Sequence, residues 1–414
     1  MKLLLLNTYE NQGGAAIATK RLHIGLRSIG VDSQLMVQTI NSDDSSVLGP
    51  RTKWEMLIAF VRPYLDQVAT KLYPGRKRAA FTVAWLPERI ASKVAAVNPS
   101  IVHLFWVSSG FLDIKSLAQF DRPIVWTLHD MWPFTGGCHY DDGCGRFQDA
   151  CGRCPFLDSA RERDLSRIVW ERKHKSWRGL PIVVVATSQW IAKMARSSAL
   201  FKDKRIEVIP NGLDMNRYKP VNKKVARDTY NLPQDKKLIL LSAFGAVSDK
   251  RKGGALLMQA LAKIALLGWG SRAELVIVGA SRPDSPPDAG MKTHYIGYLQ
   301  DEVSQVVLYS AADVVVAPSI QENLSNTVME SLACGTPVVA FAIGGMPDLI
   351  KHHVNGYLAT PFEPEDLAQG ITWALEDEGR LDALSRHSRQ LAVENYSLET
   401  IAKRYVDLYQ SILT

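Results

Sequence analysis

The stretch Ser319–Gly335, SIQENLSNTVMESLACG, gathers two carboxylates, small polar residues and a helix start. Glu322 stands in a polar turn with Asn323 and Asn326. Glu330 follows one turn inside a short amphipathic helix that is predicted to begin near Thr327 and stop at Gly335, a glycine suited to the C′ position. Ser325 or Asn326 is placed to cap the first turn, leaving outward backbone N–H groups in a geometry that suits a phosphate. Carboxylates beside an anion site repel phosphate, so the two glutamates are better aimed at sugar hydroxyls, which donate hydrogen bonds to them. An ordinary strand–turn–helix with solvated acids is the plain alternative. A second phosphate clamp is written in GAVSDKRKGG, where Lys250, Arg251 and Lys252 fall between a strand end and a helix start, and Gly253 and Gly254 leave room. Its alternative is a solvated basic loop.

Three further groups carry chemistry. Gly13 and Gly14 follow the first strand and let backbone approach a ligand, or simply make a tight turn. Their adjacency is not G-x-G-x-x-G, so a nicotinamide cofactor is not supported. His129 and Asp130 end a buried strand, where ligand sites gather in open α/β sheets, and a histidine there either bonds a sugar hydroxyl or serves structure alone. Cys138, Cys144, Cys151 and Cys154 fall within seventeen residues among glycines and charges. Cys-x-x-Cys at 151–154 plus two more fits a structural, tetrahedral zinc, with His139 as a spare ligand. The outer spacings are looser than in a ribbon or finger, so reduced core or redox thiols and disulfides stay open. No fourth-position vacancy is evident, and Asp141-Asp142 lacks the Asp-x-Asp spacing that holds a divalent ion on a nucleotide sugar. A catalytic metal is therefore not expected.

The elements that must position these groups follow one pattern twice. Strands are predicted at Lys2–Asn7, Ile101–Phe105, Ile124–His129 and Ile182–Ser188, with RIEVIPNGLD at 205–214 closing the first half and a helix from the glycine pair to about Ser28. The polar stretch Lys219–Lys237 reads as a connector. Strands then recur at Lys237–Phe244, Ala273–Gly279, His294–Leu299, Asp313–Pro318 and Thr336–Ala342, with a helix at Val303–Ala311 and helices to Leu413. At 414 residues the chain suggests two domains: 1–212, 213–390, and a last helix within 391–414.

Apolar residues at 46% and charged residues at 22% are ordinary for a soluble globular protein. No leader is read in KLLLLN, and no apolar run reaches the roughly 18 residues of a spanning helix. The expectation is a reducing cytosol, with a peripheral position on the inner face of the membrane as an option. A net charge of +7 fits an acidic partner: nucleotide phosphates, nucleic acid or an anionic membrane. The charge concentrates at 51–89, where eight Lys or Arg stand against three acids among interleaved aromatics. One or two amphipathic helices there would rest on anionic headgroups or hold a lipid-linked acceptor, unless they are solvated helices packed by their apolar side.

Read together, Glu322-x7-Glu330 inside APSIQENLSNTVMESLACGTPVVA resembles the signature of the family 4 retaining glycosyltransferases. VIPNGLD at 208–214, Lys252-Gly253, VGA at 278–280 and Gly344-Gly345 match that family's further elements in order. The N-terminal half, with WTLHDMWPFTGGC and its cysteines, is similar to the colanic-acid-type fucosyltransferases of bacterial exopolysaccharide assembly. The resemblance implies an α/β GT-B fold, two Rossmann-like domains facing across a cleft. It implies transfer of a sugar, with retention, from a UDP- or GDP-linked donor to a glycan or lipid-linked oligosaccharide. It gives Glu330 the ribose, Glu322 the donor sugar, and Lys252 the leaving diphosphate with the N–H groups of Leu324, Ser325 and Asn326. Gly14 and its loop approach the donor phosphates, His129 the transferred sugar, and Tyr298 and Leu299 the base, with Gly279 in the VGA element. The family's Arg after the strand ending at Phe244 is replaced by Gly245-Ala246, so either Arg251 supplies that charge or the diphosphate is held less strongly. The rival readings are a sugar-nucleotide epimerase of the same fold and a basic, zinc-stabilised nucleic-acid binder. The second is disfavoured because its basic and aromatic residues cluster in one insertion rather than along a groove.

Overall fold

The computed structural model describes residues 1–77, 79–242 and 249–414. Phe244, the Gly245-Ala246 pair and Arg78 lie outside that set.

Two compact units are present, Met1–Asn211 with Ile401–Thr414, and Gly212–Thr400. Each is built on one parallel sheet. The first contains β1 (Lys2–Tyr9), β2 (Asp32–Thr39), β3 (Val47–Leu48), β4 (Ile101–Leu104), β5 (Ile124–Leu128), β6 (Ile182–Ala186) and β7 (Arg205–Val208), in the order β3-β2-β1-β4-β5-β6-β7. The second contains β8 (Lys237–Ser242), β9 (Ala273–Val278), β10 (Thr293–Gly297), β11 (Val314–Ala317), β12 (Val338–Phe341) and β13 (Gly356–Ala359), in the order β10-β9-β8-β11-β12-β13. Strands buried on both faces read as unbroken apolar runs, and Leu3–Leu6 and Val338–Phe341 are fully buried.

The strand order reverses between β1 and β4, and again between β8 and β11. At such a reversal the loops leaving the carboxyl ends diverge and open a crevice, the usual place for a ligand in an open α/β sheet. The helix Gly14–Ser28 follows β1, and the helices Glu302–Ala311 and Asn326–Ala333 flank β11.

The last helix, Leu398–Leu413, carries the chain back to the first unit. There the Tyr409 hydroxyl lies 2.7 Å from His103 Nδ1, and the Tyr405 hydroxyl 3.0 Å from Thr127 Oγ1. His103 Nε2 lies 2.8 Å from the same threonine oxygen, so this buried polar cluster is internally satisfied. In the basic segment the structure has one helix, Lys53–Asp66, and a 3-10 turn, Val68–Leu72. Among the described residues no helix is long and apolar enough to cross a membrane.

Candidate functional site

The densest set of expected site residues stands at the reversal of the second sheet, where backbone contacts fix it. β11 runs out at Ala317 into the turn bearing Glu322. Gly253 holds φ +68°, and a Cβ on it would lie 1.8 Å from the Pro318 carbonyl oxygen. Only glycine lets the Lys250–Lys252 turn come this close, and the Ile320 N–H seals the contact by donating to the Arg251 carbonyl at 2.8 Å. On the other side Gly344, at φ +52°, would set a Cβ 1.7 Å from the Glu322 carbonyl oxygen. The Glu322 turn is thus gripped between two glycine loops.

Within that grip Lys252 Nζ donates to Glu322 Oε2 at 2.8 Å, with side-chain exposures of 25% and 15%. The pair is ordered, yet both groups remain open to a ligand. Ser325 caps the helix Asn326–Ala333, its Oγ accepting from the Val328 N–H at 3.3 Å. Asn323 and Leu324 are buried beside it. Arg251 Nη2 donates to Asp249 Oδ2 at 2.7 Å. Its guanidinium is thus engaged by its own loop.

Glu330 is buried, and its Oε2 accepts from the Tyr309 hydroxyl at 3.1 Å. Tyr309 Oη also lies 3.5 Å from Ser242 Oγ at the end of β8. Burial first, and the Glu330 charge after it, push the tyrosine hydroxyl well above its ordinary range. It therefore stays a donor at every working pH. Tyr309 was not among the residues expected from sequence, since nothing local in VSQVVLYSA marks it. Towards β9 and β10, Gly279 (φ +85°) donates its N–H to the Gly297 carbonyl at 2.7 Å. Tyr298 is half exposed there, and Leu299 packs on the core.

Gly13, Gly14 and His129 belong to the first unit. Gly13 adopts φ 87°, ψ 162°, a region closed to side chains, as it starts the helix Gly14–Ser28. His129 is half-buried, its ring stacked 6.0 Å from Phe105. Burial lowers its pKa to about 4 against the opposing charge of Asp130, so the imidazole is neutral at pH 7. Asp130 gathers donors that sequence spacing did not reveal: Trp106 Nε1 at 2.7 Å, the Trp132 N–H at 2.9 Å and His139 Nδ1 at 2.6 Å.

The cysteines are free thiols. Cys138 and Cys154 sit in the hydrophobic core, with Cys151 packed against it. Burial raises all four thiols, Cys151 to about 12. Among the described residues no group of three or more His, Cys, Asp or Glu is arranged to hold a metal ion. His139, the spare ligand, is taken up by Asp130 and by Thr82 at 3.0 Å. The expected structural zinc is therefore not seen in the arrangement of these side chains. Cys138 and Cys154 sit as reduced core thiols, while Cys144 is half-buried outside the core cluster.

A family profile described as Glycosyltransferase Family 4 matches residues 12–217, and one described as Glycosyl transferases group 1 matches residues 238–377. An uncharacterized glycosyltransferase of Methanocaldococcus jannaschii is 28% identical over 273 residues, covering 63% of this chain and 66% of the relative. The chain spans just under two thirds of that relative and about half of other curated relatives it matches. Among solved structures, sucrose-phosphate synthase from Thermosynechococcus elongatus superposes with a TM-score of 0.69 at 21% identity, over 100% of this chain and 99% of that one. Anabaena HepE in complex with UDP does so with a TM-score of 0.64 at 17% identity, over 99% and 100%. One profile falls on each sheet, and the chain belongs to the family 4 glycosyltransferases of GT-B fold.

Proposed function

We propose that the protein transfers a sugar, with retention, from a nucleotide-diphosphate sugar bound at the β8/β11 reversal to a glycan or lipid-linked oligosaccharide. The observation that carries this reading is the Lys252–Glu322 pair, held 2.8 Å apart between two glycine loops. Breaking the anomeric C–O bond sends its electron pair to the diphosphate and leaves positive character on the ring. A preorganised ammonium and the N-terminal end of the helix Asn326–Ala333, where the backbone dipoles point their positive ends outward, stabilise the leaving anion without reorganising. The acceptor oxygen bonds to the anomeric carbon, and its proton passes to the leaving phosphate oxygen on the same face. Pairing with Lys252 lowers the nucleophilicity of Glu322, which favours this route over a covalent glycosyl-Glu322 intermediate. Glu330, an acceptor already oriented by the Tyr309 hydroxyl, suits the two ribose hydroxyls. The neutral His129 suits a hydroxyl of the moving sugar.

A diphosphate donor also agrees with HepE, a relative in fold that is seen with UDP. A bacterial surface polysaccharide as product rests on the N-terminal WTLHDMWPFTGGC motif alone. The test is a thermal-shift screen with UDP, GDP, ADP and their sugars, because a ligand that binds only the folded state raises its melting temperature. One nucleotide series should stabilise the protein, and Lys252→Ala should abolish the part of the shift due to the diphosphate. No shift with any series would overturn the reading. Turnover of a stabilising donor without any acceptor, yielding an epimer, would assign the chain to the epimerase alternative.

A further inference from the structure

The helix Lys53–Asp66 is built inside out. A surface helix normally turns its apolar stripe to the core and its charges to water. Here the inward side is held mainly by polar groups, with Ala59 its one buried apolar residue. Arg62 is half-buried, donating from Nε to the Gly110 carbonyl at 2.6 Å and from Nη1 to the Pro87 carbonyl at 2.8 Å. Asp66 is fully buried and accepts the N–H groups of Val83 and Ala84 at 3.0 and 2.8 Å. The opposite face carries Trp54, Leu57, Phe60 and Tyr64, spaced as one helical stripe and 75%, 51%, 67% and 66% exposed. Leu72, in the 3-10 turn that follows, is 81% exposed. The plain alternative, a solvated helix packed by its apolar side, does not describe this helix: backbone acceptors and donors of the first unit hold its polar side instead.

The helix is no frayed loop. Thr52 and Glu55 form a capping box, in which Thr52 Oγ1 accepts the Glu55 N–H and Glu55 returns the bond to the Thr52 N–H at 3.0 Å. A stable element that shows water a continuous apolar stripe is a contact surface. Charge decides what it contacts. Residues 51–77 carry six Lys or Arg and two acids. Both acids are spent, Glu55 on the cap and Asp66 on the inward side, so none stands on the outer stripe. Two copies of such a face would set like charges together. Trp and Tyr among aliphatic residues, flanked by Arg51, Lys53 and Lys71, match the composition of a helix lying in a headgroup layer. We propose that the helix Lys53–Asp66 and the turn to Leu72 dock the protein on the surface of an anionic lipid bilayer, the helix lying along it with Trp54, Leu57, Phe60 and Tyr64 immersed.

This surface shares no residue with the β8/β11 site, so its test does not depend on the donor reading. The full chain is sedimented with phosphatidylcholine vesicles and with vesicles containing phosphatidylglycerol as well. The wild-type protein should partition at least about tenfold more strongly to the anionic vesicles, as several basic groups near the surface require, and salt should weaken the binding. Phe60→Glu and Lys53→Glu should each reduce it several-fold while leaving melting temperature and nucleotide-induced shift unchanged. A wild-type protein that stays in solution with both vesicle types would overturn the proposal, as would variants that bind like the wild type. A concentration-dependent dimer that Phe60→Glu converts to monomer would overturn it too, by assigning the face to a second copy.

Discussion

The two sheets share a strand order and reverse at equivalent places, yet unlike side chains gather at the two reversals. At the second, the loops after β8 and β11 bring together an ammonium and a carboxylate, both partly exposed, with a buried carboxylate on a tyrosine nearby. At the first, the loop after β1 offers a glycine turn, and the loops after β4 and β5 offer aromatic rings, a neutral histidine and a saturated aspartate. On the function proposed above, the second crevice serves charge that appears during the reaction and the first serves neutral hydroxyls and ring faces. A common fold thus fixes where ligands bind, while the few residues after each strand decide their chemistry.

The contrast breaks most readily at Lys252. If the second reversal stabilises a leaving diphosphate, Lys252→Ala should lower kcat by about two to three orders of magnitude, the usual loss for one preorganised group facing developing charge. Steady-state release of nucleotide diphosphate from a stabilising donor measures it. A loss confined to KM would mean that lysine binds donor and transition state equally. Next in size is Gly344→Ala, which drives a Cβ against the Glu322 carbonyl oxygen and imposes a positive φ on a side-chain residue. It should cost about 2–4 kcal/mol of stability in the second unit, read by denaturant unfolding. An unchanged midpoint would remove the idea that the glycine loops grip the turn.

Acid sharpens the comparison, because the histidines that desolvation lowers furthest are in the first unit. His129 is lowered to about 4 by burial, and His23 likewise, with the Arg27 charge adding to burial. Between about pH 4 and pH 6.5 the unfolded chain binds a proton that the folded imidazole refuses, so stability rises with pH through that window and is complete above it. At pH 5 each group costs about 2 kcal/mol. Melting curves from pH 7 down to pH 5 should fall less steeply for His129→Gln than for the wild type. Parallel curves would place the acid sensitivity elsewhere.

Much of this layout is legible before any coordinates, for a physical reason. β1, β5, β8, β9 and β11 are covered on both faces, so their apolar runs announce them. β2, in DSQLMVQT, has its run broken by Gln34 and Gln38, and β13, GYLA, opens on glycine and lacks the valine run of the equally short β11; the pattern showed neither. Glu322, Glu330 and Lys252 were marked by motif, but the Lys252–Glu322 contact joins residues seventy positions apart and depends on which strands adjoin. In 51–89 composition disclosed basic and apolar residues together. Which side faces the protein was decided by the Gly110 and Pro87 carbonyls and the Val83 and Ala84 amides, which no periodicity encodes. Cysteine spacing likewise could not tell a metal from a core.

The smallest effects separate Glu330 from the tyrosine that orients it. Glu330→Gln keeps shape and burial but loses the charge that accepts ribose hydroxyls, and should weaken nucleotide binding about tenfold with little change in kcat. Tyr309→Phe leaves Glu330 charged and removes one donor at 3.1 Å from it. The carboxylate then loses orientation rather than chemistry, and nucleotide affinity should fall only about threefold to fivefold, in line with a single hydrogen bond. Titration calorimetry with nucleotide measures both, and the double variant shows whether tyrosine acts through the glutamate. If it does, adding Tyr309→Phe to Glu330→Gln costs less than it does alone. Strictly additive losses would mean that Tyr309 supports the fold at the end of β8 and does not position Glu330.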